Sequence, residues 1–309
     1  MSTLQHVLEV RQFDRPWLDM FFQHTARMHE IAASGGSRRL AGRIMATLFF
    51  EPSTRTRLSF ESAMTRLGGS VLSAEDAGAT SSVTKGETIE DMARIVEGYA
   101  DLLVIRHPRS GAVARAARVV DVPVINAGDG PHEHPTQALL DLYTIHRELG
   151  GIDGLRIALV GDLKYGRAVR SLALLLTQAR HTELIFVSPE TTRMGDDVTA
   201  ELCRSGVRYS EESDLRRVLP KVDVVYQTRV QRERFPSDGD YHAARGHYVI
   251  DVAAMSLLSP HGILLHPLPR VDEIAPEVDD DPRAAHFRQA KNGVYVRMAL
   301  LDLLLAGER

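Results

Sequence analysis

Five consecutive residues, Ser53-Thr54-Arg55-Thr56-Arg57, place hydroxyls and guanidinium groups directly after an apolar run and at the start of a helix-period stretch. A Ser or Thr ahead of a helix is ordinarily a cap, and capping accounts for one hydroxyl. It does not account for two arginines in the first turn, where each cation opposes the helix dipole by a few tenths to ~1 kcal/mol. A bound phosphate removes the conflict, because free N–H groups, hydroxyls and a guanidinium then point at one anion. The segment reads as a phosphate site.

Comparable segments recur along the chain, each after a short apolar run. Arg106-His-Pro follows Ile105, and Asn126-Ala-Gly-Asp-Gly-Pro-His-Glu-His134-Pro-Thr-Gln137 follows Ile125. Gly161-Asp-Leu-Lys-Tyr-Gly-Arg167 follows Val160, Gln227-Thr-Arg229-Val-Gln231 follows Tyr226, and His266-Pro-Leu-Pro-Arg270 follows Leu265. Six such segments in succession are hard to attribute to chance. Taken singly, each has a plainer reading. His134 is a loop hydrogen-bonder, Arg167 a surface helix residue, and 229–234 a solvated charge run. The glycines of 161–166 do not form Gly-x-Gly-x-x-Gly, so a dinucleotide loop is rejected.

Such segments need elements that bring them to common edges. Strands are predicted at 43–50, 102–105, 122–125, 156–160, 183–187, 222–226, 248–252 and 263–265. Helices are predicted at 54–67 (Phe60, Ala63, Met64 and Leu67 on one face), 88–97, from about Thr136, 167–178 and 294–305. Strand–helix alternation predicts an α/β fold of two doubly wound parallel-sheet domains, with ligands beyond the carboxyl ends of the strands. A length of 309 residues suits two domains. The expected division is 1–135 and 136–291, with a C-terminal helix, 292–309, returning to the first.

Composition narrows the function classes. With 44% hydrophobic and 25% charged residues, disorder is a poor reading. A formal net charge of -4 gives no general attraction to nucleic acid or an acidic membrane. The longest dense apolar stretch, 172–176, is far too short to span a bilayer. No basic segment followed by an apolar run opens the chain, so a cytoplasmic protein is expected. Of 37 basic residues, four are lysines (Lys85, Lys164, Lys221, Lys291) and 33 are arginines, a bias read mainly as a genomic one. Cys203 is the single cysteine, which excludes an internal disulfide and a thiolate zinc cluster. It is expected to be a small buried apolar residue. Neither a metal nor a cofactor is expected.

Phe49-Phe50-Glu51-Pro52-Ser53-Thr54-Arg55-Thr56-Arg57, with Ser59-Phe60-Glu61, resembles the carbamoyl phosphate loop of the aspartate/ornithine carbamoyltransferase family. His134-Pro-Thr-Gln137 is similar to the family's second signature. Asn126 to Gly130, Gly161 to Arg167, Thr228-Arg229-Val-Gln231 and His266-Pro-Leu-Pro-Arg270-Val-Asp-Glu resemble its aspartate-specific branch. The likeness runs in order from about Phe49 to the C-terminus. The first 40 residues carry no such motif.

The resemblance implies carbamoyl transfer from carbamoyl phosphate to the amine of L-aspartate, a step of pyrimidine biosynthesis, with the active site in the interdomain cleft and at a subunit interface. Arg55, Thr56, Lys85, Arg106 and His134 become the catalytic set. Ser53, Thr54, Arg55, Thr56, Ser81, Lys85, Arg106, His134, Gln137, Pro267, Leu268 and Pro269 are implied carbamoyl phosphate ligands. Lys85, Arg167 (α-carboxylate) and Arg229 with Gln231 (β-carboxylate) are implied for aspartate, and Glu51, Arg167 and Arg234 for domain closure. In the family the Ser and Lys of the 79–88 loop reach the neighbouring subunit's site, so a homotrimer with shared sites is implied. Here Thr84 stands where some relatives carry a second Lys. A regulatory chain or a dihydroorotase partner also occurs in the family. Because the amine proton can pass to the departing phosphate, no dedicated side-chain base is required. Two rivals remain open: a carbamoyltransferase for another amino acid such as ornithine, whose last motif typically has Cys at the position of Pro267, and a non-catalytic scaffold homologue.

Overall fold

The computed structural model describes residues 4–75, 86–229, 239 and 248–306. The chain forms two compact units, 1–136 with 292–309, and 137–291. Ser81, Lys85, Gln231 and Arg234 lie outside the described residues.

The first unit begins with a segment that extends an edge strand. Val7 N donates to Val124 O at 2.9 Å, and Asn126 N donates to Val7 O at 2.8 Å. Helix α1 (Arg15–Ala33) follows, opened by Asp14, whose carboxylate accepts from Trp17 N at 2.9 Å. Then come β1 (Ile44–Phe49), α2 (Thr54–Arg66), β2 (Ser70–Glu75), α3 (Ile89–Glu97), β3 (Leu102–His107), α4 (Ala112–Ala117) and β4 (Val124–Asp129). The sheet order is β2-β1-β3-β4, all pairs parallel. Every residue of β3 and β4 is buried, as expected of strands covered on both faces. Phe60, Ala63 and Met64 of α2, with Leu67 just beyond it, form the predicted apolar face and are fully buried.

Helix α5 (Pro135–Leu149) carries the chain into the second unit. There follow β5 (Arg156–Val160), α6 (Arg167–Leu175), β6 (Glu183–Val187), α7 (Asp196–Arg204), β7 (Arg208–Glu212), β8 (Val224–Gln227), α8 (Val252–Leu257) and β9 (Ile263–Leu265). The order is β7-β6-β5-β8-β9, again all parallel. Its core joins Ala158, Val160, Val187, Val225 and Leu264 to Val218, Met255 and Leu258. The last helix, α9 (His286–Leu305), ends within the first unit. Among the described residues no helix is long and apolar enough to cross a membrane.

Several local expectations are corrected. Arg106 and Asn126 to Asp129 lie inside strands rather than after them, because parallel pairing runs on to Phe49↔Arg106 and His107↔Asp129. Residues 248–252 are not a strand. Ile250 makes an isolated bridge to Ile274, and Asp251 caps α8 by accepting from Ala254 N at 2.6 Å. Cys203 is exposed: Val198 and Leu202 form the buried stripe of α7, and the next residue turns outward.

Each sheet reverses its building direction once, between β1 and β3 and between β5 and β8. Crevices at such reversals are where open parallel sheets receive ligands. At the second reversal Gly161 has φ +107, and a Cβ there would lie 2.6 Å from Thr228 O. Gly161→Ala is therefore expected to destabilise the protein by at least about 1–3 kcal/mol, read from the urea unfolding midpoint. An unchanged midpoint would refute the close approach.

Candidate active site

At the first reversal, β1 runs through Phe50, Glu51 and Pro52 into Ser53, the residue preceding α2. Ser53 makes no side-chain capping bond, and the first turn of α2 contains no acid. By contrast, α3 and α7 open with Glu90-Asp91 and Asp196-Asp197. Thr54 and Arg55 are exposed and Thr56 is buried. Partial desolvation lowers the pKa of Arg55, which makes no ion pair among the described residues. Arg57 is engaged by protein groups, with Nε 3.8 Å from Glu61 Oε1 on its own helix and Nη1 3.5 Å from Ser73 Oγ on β2. The two arginines of the motif therefore separate: Arg57 is held by protein groups, and Arg55 is exposed without an ion pair among the described residues.

Arg106 lies on the adjacent strand, and its carbonyl accepts from Phe50 N at 2.9 Å. Its buried guanidinium donates to Glu51 Oε1 at 2.9 Å and to Ala127 O at 3.4 Å. Glu51, implied in domain closure, thus has a partner inside its own unit. His134 is buried in the turn beyond β4. That turn is closed by Asp129 N donating to Glu133 O at 3.1 Å and by Gly111 N donating to Asp129 Oδ2 at 2.7 Å.

At the second reversal, Gly161 to Gly166 link β5 to α6. Asp162 accepts from Tyr165 N at 2.9 Å, and Gly166 precedes the helix. Arg167 is the first residue of α6, whose first turn again lacks an acid. Arg229 follows β8, the strand beside β5, where Thr228 N and its hydroxyl both donate to Val160 O at 2.8 Å. The two cations read as carboxylate clamps therefore leave neighbouring strands, and both are half-buried.

Three buried side chains, none of them implied as a ligand, tie together Gln137 and the 266–268 segment of this unit. Asp141 accepts from Gln137 Nε2 at 2.8 Å, from Gln289 Nε2 at 2.6 Å and from the Tyr226 hydroxyl at 2.6 Å. Gln289 Oε1 accepts from His266 N at 2.8 Å, and His266 Nδ1 accepts from Leu268 N at 2.8 Å. The other ring nitrogen faces Glu273 Oε1 at 2.7 Å. Burial pushes the Glu273 carboxyl up, but the His266 bond and charge and nearby backbone N–H groups hold it below its ordinary value. Pro267 and Leu268 are half-buried and Pro269 is exposed at the end of this braced loop. The i, i+4 spacing of Gln137 and Asp141 was a signal in the sequence. The contributions of Tyr226 and Gln289 had none. Among the described residues no group of three His, Cys, Asp or Glu could hold a metal ion.

Residues 5–147 match the carbamoyl-P binding domain of aspartate/ornithine carbamoyltransferase, and residues 153–304 match its Asp/Orn binding domain. Over 311 residues the chain is 55% identical to the chloroplastic aspartate carbamoyltransferase of Oryza sativa subsp. japonica, covering 98% of this chain and 86% of the relative. It is 50% identical to the aspartate carbamoyltransferase catalytic subunit of Methanopyrus kandleri, with 97% of each chain covered. The catalytic subunit of M. jannaschii aspartate transcarbamoylase superposes with a TM-score of 0.92 at 44% identity, covering 98% of this chain and 100% of that one. The Trypanosoma cruzi aspartate transcarbamoylase, in complex with carbamoyl phosphate and aspartate, gives 0.90 at 43% identity, with 97% of each chain covered. The chain belongs to the aspartate/ornithine carbamoyltransferase family.

Beside His134, Glu133 is a buried carboxyl whose Oε2 accepts from Val10 N at 3.1 Å. Burial raises its pKa to about 7, with Glu9 and Asp129 adding to the rise and the Val10 N–H and Arg11 opposing it. The folded state therefore holds this proton more tightly than the unfolded state. The stability it contributes is complete below the unfolded value near 4.5 and is lost as pH rises through about 7. Glu133→Gln keeps an acceptor for Val10 and removes the charge. It should be roughly 3 kcal/mol more stable than the parent at pH 8, with the gap closing below pH 5, measured by urea unfolding. A gap that widens on acidification would refute this reading.

Proposed function

We infer that this chain transfers the carbamoyl group of carbamoyl phosphate to the amine of L-aspartate, releasing N-carbamoyl-L-aspartate and phosphate. The observation that carries this reading is the pair of arginine-led helices, α2 and α6, each at a sheet reversal and each without an acid in its first turn. One suits a phosphate, and the other, with Arg229 on the next strand, suits a dicarboxylate. The name shared by the relatives and the presence of Pro267 rather than Cys favour aspartate over ornithine.

Ser53, Thr54, Arg55 and Thr56 bind the phosphate, and Thr56, Arg106 and His134 stabilise the oxyanion that forms on the carbonyl. Arg167 holds the α-carboxylate, and Arg229 with Gln231 the β-carboxylate. The neutral amine attacks the carbonyl carbon, the C–O bond to phosphate breaks, and the amine proton leaves with the phosphate. Two oriented reactants supply much of the acceleration, so no covalent enzyme intermediate is required. Ser81 and Lys85 complete a neighbouring subunit's site in a homotrimer. Pyrimidine biosynthesis is the proposed pathway and the cytoplasm the proposed compartment, which differs from that of the rice relative named above.

Purified protein should consume carbamoyl phosphate with aspartate at least ~100-fold faster than with ornithine, since the wrong amine leaves carboxylate clamps unpaired. Arg55→Ala should lower kcat/KM by about 10²–10³-fold. Mixed trimers of Arg55→Ala and Lys85→Ala chains should recover part of the lost activity. Verified mixed trimers that stay inactive would refute shared sites.

A further inference from the structure

Asp141 is fully buried on α5, one turn beyond Gln137, and takes no part in the steps above. Its two oxygens accept three hydrogen bonds, from the Tyr226 hydroxyl and from the amide nitrogens of Gln137 and Gln289. Burial first, then the neighbouring Asp141 charge and hydrogen bond, hold the Tyr226 pKa well above its ordinary value, so the phenol keeps its proton and points it at Oδ2. Oδ1 takes the amide nitrogens of Gln137 and Gln289. The Gln137 amide is thereby oriented: its nitrogen is committed to Asp141, and its Oε1 is the atom left for a ligand. The Gln137 side chain makes no other hydrogen bond among the described residues, and the residue is partly exposed. Through Gln289 the same carboxylate also braces His266 N and so the 266–268 backbone.

We propose that Asp141 is the positioning residue that makes the site select a carbamoyl donor. By holding the Gln137 oxygen outward it turns that position into an acceptor for the NH2 of carbamoyl phosphate. An acyl phosphate of the same shape that presents a methyl group, such as acetyl phosphate, gains nothing from it. A reversed Gln137 amide would set donor against donor at the carbamoyl nitrogen and leave both without a partner. The proposal rests on Gln137 being a carbamoyl ligand, as the function above requires.

The test is Asp141→Asn, assayed as the intact assembly with carbamoyl phosphate as substrate and with acetyl phosphate and inorganic phosphate as competitive inhibitors. Asparagine offers one acceptor and one NH2, so it cannot serve three donors, and the Gln137 amide is released to rotate. The kcat/KM for carbamoyl phosphate should fall about 30–100-fold, while the inhibition constants for both other anions move less than about 3-fold. Unchanged kinetics, or equal losses for all three anions in a variant with parental melting behaviour, would overturn the proposal.

A second measurement uses the unaltered protein, so it stands even if the variant does not fold. In a crystal structure with phosphonoacetamide, the inhibitor's amide nitrogen should lie about 3 Å from Gln137 Oε1, with Gln137 Nε2 still on Asp141. A Gln137 amide detached from Asp141 in that complex would also overturn it. Parental turnover of aspartate tests the reaction separately: its absence defeats the function, whereas normal parental turnover with an indifferent variant defeats only this role.

Discussion

A guanidinium in the first turn of a helix sits where the helix is already positive. Nothing in the local fold rewards that placement, and an anion does. At both of its sheet reversals this protein makes that choice, with Arg55 on α2 and Arg167 on α6, and neither helix has a first-turn acid. By contrast, α3 and α7 open with two acids each. On the proposed function, the cost of the cations is recovered when phosphate and carboxylate bind. Sheet topology decides where that ligand can be met, because each helix leaves a strand at which its sheet changes direction.

The protein handles its buried carboxyls in opposite ways. Asp141 collects donors from a glutamine one turn away, from β8 and from α9. Such a carboxylate is a rigid acceptor around which amides must orient. Glu133 has a backbone N–H and two neighbouring acids, so burial dominates and its proton is retained to about pH 7. The first arrangement yields geometry, and the second yields sensitivity to pH beside His134.

Much of this was legible in the chain. Buried parallel strands are continuous apolar runs, and strand ends are marked by abrupt polar segments, so β1, β3, β5, β6, β8 and β9 could be placed within a few residues. The apolar face of α2 follows from its 3.6-residue period. Two edge strands, β7 and β2, were not legible. In β7, Arg208–Glu212, the first four residues are exposed and no apolar alternation survives. Strand β2 lies at an edge of the first sheet, and α1 was not placed although Asp14 and Pro16 mark its start and Leu18, Phe21, Phe22, Thr25 and Met28 fall at helical spacing. The segment around Ile250 carried a strand-like run, yet only an isolated bridge forms there and Asp251 opens a helix at Val252.

The sequence by itself determined the chemistry on offer: which residue types stand at each strand end, and that they suit one phosphate and one dicarboxylate. Local hydrogen bonding and side-chain period carry that information over a few residues. Tertiary structure alone decided which of these groups are free to act. It paired Arg106 with Glu51 across 55 positions, drew Arg57 to Ser73 and left Arg55 presented. It also gathered Tyr226 and Gln289, 85 and 148 positions away, onto Asp141. No periodicity encodes such contacts, because they exist only once the sheet has brought distant strands and the last helix together.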